Sequence, residues 1–407
     1  MDGEAQAEVR VSAAWPVERA FVDDALLETA LGLAESSAEA AEAAERAAES
    51  PGLALRALVR LFGDRGLLKL AVPRAFGGVH ETVSSVALCL VRERLGHVSP
   101  LADLAFAMQG LGSYPVTLAG TDGARAEWLP QIAAGQAVAA FALTEPEAGS
   151  DLGGLSTKAT RDGDDYVLDG HKTLISNAGV ADVYTVFAVT DPSAARRKLS
   201  AFVVRADARG LETRAQRVLG GHPIGEVLFD GVRVPSEARL GDEGGGLALA
   251  LATLHRFRPT VGAAALGFAQ RALDETLVHV RARKQFGASL AELAVVQSIV
   301  AEMACDVEAS RLLVYRAAHA ADQPSSNEAA GARSSRSEVA RTGSMAKLFA
   351  TEAAQRVVDR AVQLHGGRGV LADGIVARLY EEVRSLRIYE GANEVQKLLI
   401  AREVLGG

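Results

Sequence analysis

The sequence predicts an α+β protein in three segments, helical, then β, then helical, and three observations carry that prediction. Apolar residues recur at three- and four-residue intervals from about Asp23 to Gln136, and again from Gly246 to Leu405. Between them, from Ala137 to about Gly241, the pattern changes to short β-branched runs separated by Gly, Asp and Pro. With 407 residues and 49% hydrophobic side chains, the chain can bury a large core and hold two or three domains. Boundaries are expected at residues 1–136, 137–243 and 244–407.

In the first segment, residues 1 to about 20 read as loose. The Ala/Glu-rich stretch Leu33 to Ser50 reads as a marginal, solvent-facing helix rather than a disordered run, because its composition favours helix and it precedes strongly amphipathic sequence. Leu53 to Phe62 is strongly amphipathic, and Pro73-Arg-Ala-Phe-Gly-Gly78 interrupts the helices. In the second segment, the runs Asp165 to Leu168, Val183 to Val189, Ala201 to Val204 and Val227 to Val234 suggest a compact antiparallel barrel or sandwich. The turn sequences Arg161-Asp-Gly-Asp164 and Asp169-Gly170 fall between these runs, where hairpins need residues tolerant of positive φ. In the third, Leu247, Leu251, Leu254, Val261, Ala265 and Phe268 share one helical face, and a further helix runs through Met345 to Leu364. A four-helix bundle is the economical packing. The stretch Asp322 to Glu338, rich in Ser, Ala, Gly and Asn, reads as an inter-helix loop.

Composition excludes several classes of function. A net charge of −8 with scattered arginines argues against a nucleic-acid partner. No apolar run reaches the ~18 residues of a membrane span, and the acidic, polar start of the chain lacks the form of an export signal, so a cytoplasmic protein is expected. Cys89 and Cys305 offer neither a disulfide framework nor metal-ligand spacing.

Three segments place Gly and polar residues between apolar elements. Phe141-Ala-Leu-Thr-Glu-Pro-Glu-Ala-Gly-Ser-Asp151 can aim backbone N–H groups and the Thr144 and Ser150 hydroxyls at a ligand, although an ordinary polar turn has the same composition. Gln363-Leu-His-Gly-Gly-Arg-Gly-Val370 allows close backbone approach to a cofactor but lacks the spacing of a nucleotide-binding βαβ unit, and His365 suits a helix C-terminus. In Leu386-Arg-Ile-Tyr-Glu-Gly-Ala-Asn-Glu-Val-Gln396, burial of Glu390 would raise its pKa toward the range of a general base; a solvated carboxylate at a helix start is the alternative.

Taken together, in this order, these segments closely resemble the acyl-CoA dehydrogenase family from about Leu53 to Leu405. The motifs are Leu143-Thr-Glu-Pro-Glu-Ala-Gly-Ser-Asp151, Arg283-Lys-Gln-Phe-Gly287, Gln363-Leu-His-Gly-Gly367, and Ile388-Tyr-Glu-Gly391 followed by Val395-Gln-Lys397. The resemblance implies an N-terminal helical domain, a middle β domain and a C-terminal four-helix bundle. It also implies FAD as cofactor and an acyl-CoA thioester as substrate, with an electron-transfer flavoprotein as acceptor. Phe141, Leu143, Thr144, Leu174 and Ser176 would then lie along the flavin. Arg283, Phe286, Gln363, Gly366 and Gly367 would touch the FAD of a neighbouring subunit, which implies a homodimer or homotetramer. Ala392 and Glu394 would lie near the adenosine. Ser150, His255, Arg258, Tyr389 and Gly391 match substrate-side positions, with Arg258 bracing the segment that carries the base.

Glu390 matches the family's base, which takes the proton alpha to the thioester carbonyl as the beta hydride passes to FAD. Its own backbone N–H, with a flavin ribityl hydroxyl, would bind the thioester oxygen. Some relatives carry the base on the helix containing His255 to Arg258, but the matching position is Phe257. Departures from the family pattern are Leu174 for a common Trp, Ala392 and Glu394 for Thr and Gln, Ala294 for Gln, and His255 for an acidic residue near the CoA path. The His255 change keeps open an acyl group tethered to a carrier protein. A non-redox binding homologue is a further alternative, which the retained Glu390 opposes.

Overall fold

The computed structural model describes residues 24–194, 198–323 and 329–406; the loose N-terminal residues expected above lie outside them. Five helices form the first segment: α1 (Asp24–Ala47), α2 (Pro51–Asp64), α3 (Ser85–Val98), α4 (Pro100–Ala119) and α5 (Asp122–Ala133). Helices α2 to α5 each begin after a Ser or Thr, namely Ser50, Ser84, Ser99 and Thr121. Each of these side chains accepts a backbone N–H of the first turn. Pro51 and Pro100 supply the preset φ of a first helical residue. Helix α1 is not solvent-facing as its composition suggested. It buries Ala30, Ala34, Ser37, Ala38 and Ala41, small residues that let its backbone approach α3 closely.

The middle segment is an eight-stranded sheet: β1 (Ala139–Ala142), β2 (Lys158–Asp162), β3 (Asp165–Ser176), β4 (Val183–Val189), β5 (Leu199–Arg205), β6 (Leu211–Gln216), β7 (Ile224–Pro235) and β8 (Arg239–Leu240). The hydrogen-bonded order is β6-β7-β3-β2-β4-β5-β8, with β1 beside β4. Pairing is antiparallel, as the sequence suggests, except that β1 pairs β4 in parallel and β2 touches β4 through one parallel bridge. Parallel pairing needs a long crossover, and here β2 and β3 fill the connection from β1 to β4. A register break between Lys172 and Ile175 in the β3–β7 pair pushes Leu174 out of the ladder.

The third segment holds α6 (Gly246–Ala282), a two-stranded hairpin of β9 (Lys284–Gln285) and β10 (Ala288–Ser289), α7 (Ala294–Asp322), α8 (Ala329–His365), α9 (Ile375–Val383) and α10 (Asn393–Leu405). Helices α6, α7 and α8 pack on one another, α10 lies along α8, and α3 packs across α6. The inter-helix loop expected over Asp322 to Glu338 is shorter than that. Helix α7 runs to Asp322 and α8 already begins at Ala329, because Ala, Arg and Glu in this stretch favour helix more than its Ser and Gly oppose it. The loop's centre, residues 324–328, lies outside the described residues. Asp322 closes the packing: its carboxylate accepts from the Ser84 hydroxyl (2.7 Å), Ser85 N (2.8 Å), Val86 N (3.0 Å) and Arg256 Nη1 (2.5 Å), so the end of α7 caps the start of α3. One hydrophobic core runs through all three segments.

Candidate active site

Glu390 sits between α9 and α10 with φ +52°, a left-handed value rare outside glycine, and Gly391 follows at φ +96°. The Gly391 carbonyl accepts from Lys347 Nζ (3.0 Å) and from Gln396 Nε2 (2.9 Å). Its missing side chain matters, since a Cβ there would stand 2.4 Å from Gln396 Nε2. Glu390 as a residue is half-buried, yet its Oε2 is buried and has no hydrogen-bond partner among the described residues. Burial raises its pKa to about 7; nearby Arg92, Lys347 and Arg258 work against that rise, while Asp103 adds to it. Glu390 is therefore not the solvated helix-start carboxylate that the sequence left open.

Helices from two segments furnish the surrounding charges. Arg92 of α3 is buried and grips Asp103 of α4 through two 2.8 Å bonds, with a third bond to the Thr260 hydroxyl at 2.9 Å. Arg258 of α6 is buried, and its Nε and Nη1 have no partner among the described residues; burial lowers its pKa to about 10 against the pull of Glu390. His255, one turn earlier and partly buried, is held to about 4 by burial and by Arg258, so it is neutral at neutral pH. Phe257 is buried edge-on to Tyr114 (5.7 Å between centroids), where it serves packing. The Tyr389 phenol is pushed up by burial.

A second group gathers at the sheet. Phe141 and Leu143 are buried, with the Phe141 ring 5.0 Å from that of Phe187. The Thr144 carbonyl accepts from Thr173 N at 3.0 Å, which places Thr144 beside Leu174. Leu174 takes φ +54°, donates its N–H to Gln216 Oε1 (3.1 Å) and leaves its side chain 52% exposed; Ser176 is half-buried two residues on. Beneath this loop Glu145 accepts from Ser156 N and Oγ, from Thr157 N and from Lys172 Nζ (2.8 Å), while Lys172 also donates to the Leu143 carbonyl (3.0 Å). Burial opposes the Glu145 charge, but Lys172 and these bonds outweigh it and hold the pKa at about 2. Ser150 stands exposed farther along the loop.

A third group lies elsewhere. Arg283 ends α6 and Phe286, at the tip of the β9–β10 hairpin, is 93% exposed with φ +53°. Gln363, Gly366 and Gly367 are also exposed, and stacked rings of His279 and His365 (4.3 Å) join this end of α8 to that of α6. His365 is a helix-end residue, its Nδ1 donating to the Ala361 carbonyl (2.7 Å). Arg283 lies roughly 25 residues along α6 from Arg258, on the order of 35 Å. The structure thus brings Gly391 and Arg258 together beside Glu390, and Thr144 and Leu174 together, while Arg283 and Phe286 lie beyond the far end of α6 from Arg258. Ala392 is half-buried and Glu394 exposed at the start of α10.

Sequence reasoning missed Lys347, Asn393, the Arg92–Asp103 pair and the Glu145–Lys172 pair. Lys347 could have been found, since it shares a helical stripe with Thr351, Ala354 and Val358, all buried. Among the described residues there is no His, Cys, Asp and Glu cluster fit for a metal, and no helix long and apolar enough to cross a membrane.

Models for the acyl-CoA dehydrogenase N-terminal, middle and C-terminal domains match residues 23–136, 140–232 and 244–405. A probable acyl-CoA dehydrogenase, fadE25, of Mycobacterium leprae is 39% identical over 92% of this chain and 93% of its own length. Cyclohexane-1-carbonyl-CoA dehydrogenase of Geobacter metallireducens is 38% identical over 86% of this chain and 89% of its own. Among solved structures, butyryl-CoA dehydrogenase from Megasphaera elsdenii superposes with a TM-score of 0.83 at 29% identity, covering 94% of this chain and 99% of that one.

Proposed function

The chain belongs to the acyl-CoA dehydrogenase family of FAD-dependent oxidoreductases, and from that premise we propose that Glu390 is the base with which it desaturates an acyl-CoA thioester. The observation that carries the proposal is the Glu390 carboxylate itself, its Oε2 buried and unpaired among the described residues and its pKa raised to about 7 among the cations of Arg92, Lys347 and Arg258. A base must be free to take a proton, and a general base works best with a pKa near the working pH.

FAD, when bound, supplies the hydride acceptor. The residues on the sheet fit its ring: Thr144 offers a hydroxyl and backbone polar groups, Leu174 an exposed apolar side chain, and Phe141, Leu143 and Ser176 border them. Glu390 takes the proton alpha to the carbonyl; a bound flavin would accept the beta hydride, so that the electron pair left at the alpha carbon closes the double bond of a trans-2-enoyl thioester. Removing that proton requires stabilising the negative charge that develops on the thioester oxygen. Among the described residues no acceptor takes the Glu390 N–H, which leaves it for that oxygen. Arg258 braces the turn from α6, and Tyr389 and Gly391 flank the base. Ser150 and His255 fall to the thioester arm. With His255 where relatives carry an acidic residue, the arm meets no carboxylate there, and a carrier-protein thioester is the second reading that this position supports.

Arg283 and Phe286, beyond the end of α6, and Gln363, Gly366 and Gly367, at the end of α8, would serve the FAD of a second subunit in a homodimer or homotetramer, with Ala392 and Glu394 near the adenosine. An electron-transfer flavoprotein would reoxidise the cofactor. The test is the anaerobic visible spectrum of the purified protein with short, branched, cyclic and aromatic acyl-CoAs. One class should bleach the flavin band, and Glu390→Gln should keep FAD while losing nearly all turnover. Full activity in Glu390→Gln would sink the assignment.

A further inference from the structure

Lys347 of α8 is fully buried, yet among the described residues no carboxylate lies within ion-pair distance of it. Its ammonium donates to the Gly391 carbonyl (3.0 Å) and to Asn393 Oδ1 (2.8 Å). Asn393 Nδ2 donates in turn to the Thr351 hydroxyl (3.0 Å) and to Glu352 (2.8 Å), and Glu352 accepts from Arg387 Nε (2.9 Å). The bonds therefore enclose the backbone from Arg387 to Asn393, with Glu390 at its centre. An ammonium inside a protein is costly unless an opposite charge is near.

We propose that Lys347 is a positioning residue for this reaction: its ammonium holds the left-handed Glu390–Gly391 turn through the Gly391 carbonyl and acts as counter-charge to the Glu390 carboxylate. The proposal rests on the reading of Glu390 as base. The groups facing that carboxylate are Arg92 on α3, Asp103 on α4, Arg258 on α6 and Lys347 on α8; Glu352 and Glu394 also act on Lys347. Arg92 is committed to Asp103, so of these cations Lys347 and Arg258 are the ones without a carboxylate within ion-pair distance among the described residues. Burial lowers the Lys347 pKa to about 8 and Glu390 opposes the fall, the mutual support expected of coupled charges.

The test compares FAD-loaded wild type with Lys347→Met, Lys347→Gln and Lys347→Arg, using butyryl-CoA and cyclohexane-1-carbonyl-CoA with an artificial electron acceptor. Without the positive charge the Glu390 pKa must rise. The acid limb of kcat/KM, near pH 7 in wild type, should move up by about one pH unit in the Met and Gln variants, with about tenfold lower activity below it. Activity should recover above pH 9, flavin content should stay at the wild-type level, and Arg should restore the limb. A merely structural role would lower activity equally at every pH. An infrared titration of protein labelled with 13C-glutamate, referenced to Glu390→Gln, reads the same pKa without substrate. If wild type oxidises neither thioester, the choice of function or substrate fails while the infrared titration still decides the role of Lys347. Should Lys347→Met not fold, Lys347→Gln keeps a donor to the Gly391 carbonyl and carries the comparison. An unmoved limb and an unmoved infrared pKa in that variant overturn the proposal.

Discussion

Gly391→Ala tests how far the base depends on its turn. Alanine at φ +96° incurs the left-handed penalty of about 1–2 kcal/mol. The new Cβ would also lie 2.4 Å from Gln396 Nε2, so Gln396 must swing away and give up its 2.9 Å bond to the Gly391 carbonyl, about 1 kcal/mol more. Together these disfavour the observed turn by roughly 2–3 kcal/mol, a factor of about 30–150 in its population. If the turn relaxes, Glu390 leaves its position and kcat falls by that factor with flavin content unchanged. If the turn holds, the same energy appears as lost stability, read as a lower urea midpoint. Steady-state turnover and urea titration of the FAD-loaded variant distinguish the two. Turnover within about threefold of wild type, together with an unchanged midpoint, would refute the argument that glycine is required there.

Two further predictions concern the sheet and the hairpin. Glu145→Gln strands the buried Lys172 ammonium and should destabilise the protein by about 3 kcal/mol, with FAD retention falling as the Leu143–Thr144 loop loosens; an unchanged melting temperature would count against it. Because the Glu145 pKa is depressed on folding from 4.5 to about 2, its stabilising contribution is complete above pH 4.5 and is lost as pH falls toward 2, so the gap between wild type and variant should narrow across that window. Phe286→Ser, at a side chain 93% exposed, should leave each subunit's fold intact but weaken subunit association and FAD retention. Sedimentation velocity and flavin content measure both, and identical values in the variant would remove the hairpin from the interface.

Much of the architecture is legible in local chemistry. Ser50-Pro51 and Ser99-Pro100 announce helix starts without any tertiary information, and the β-branched runs announce strands. What escapes is whatever depends on a distant neighbour. Helix α1 looks solvated because alanines alone say little about burial, and only its packing against α2 and α3, with Ala30, Ala34 and Ala41 buried, decides it. The break that turns Leu174 outward is a mismatch between β3 and β7, invisible in either strand alone. Within the site, Glu390 is readable from its motif, whereas the cations that set its pKa come from α3, α6 and α8. Lys347 and Arg92 resemble surface residues by type, and only their buried positions give them another role.

The Asp322 cap also bears on how the protein is made. The start of α3 waits for an acceptor 237 residues later in the chain, and Arg92 and Glu93 of the same helix wait for Thr260 and Arg311. At about 5–20 residues per second of synthesis, some 10–50 seconds pass between the appearance of Ser85 and that of Asp322. Throughout that interval the N-terminal helices expose the surface meant for α7. Holding chaperones have their opportunity then, and the final docking of α7 is the step that ends it.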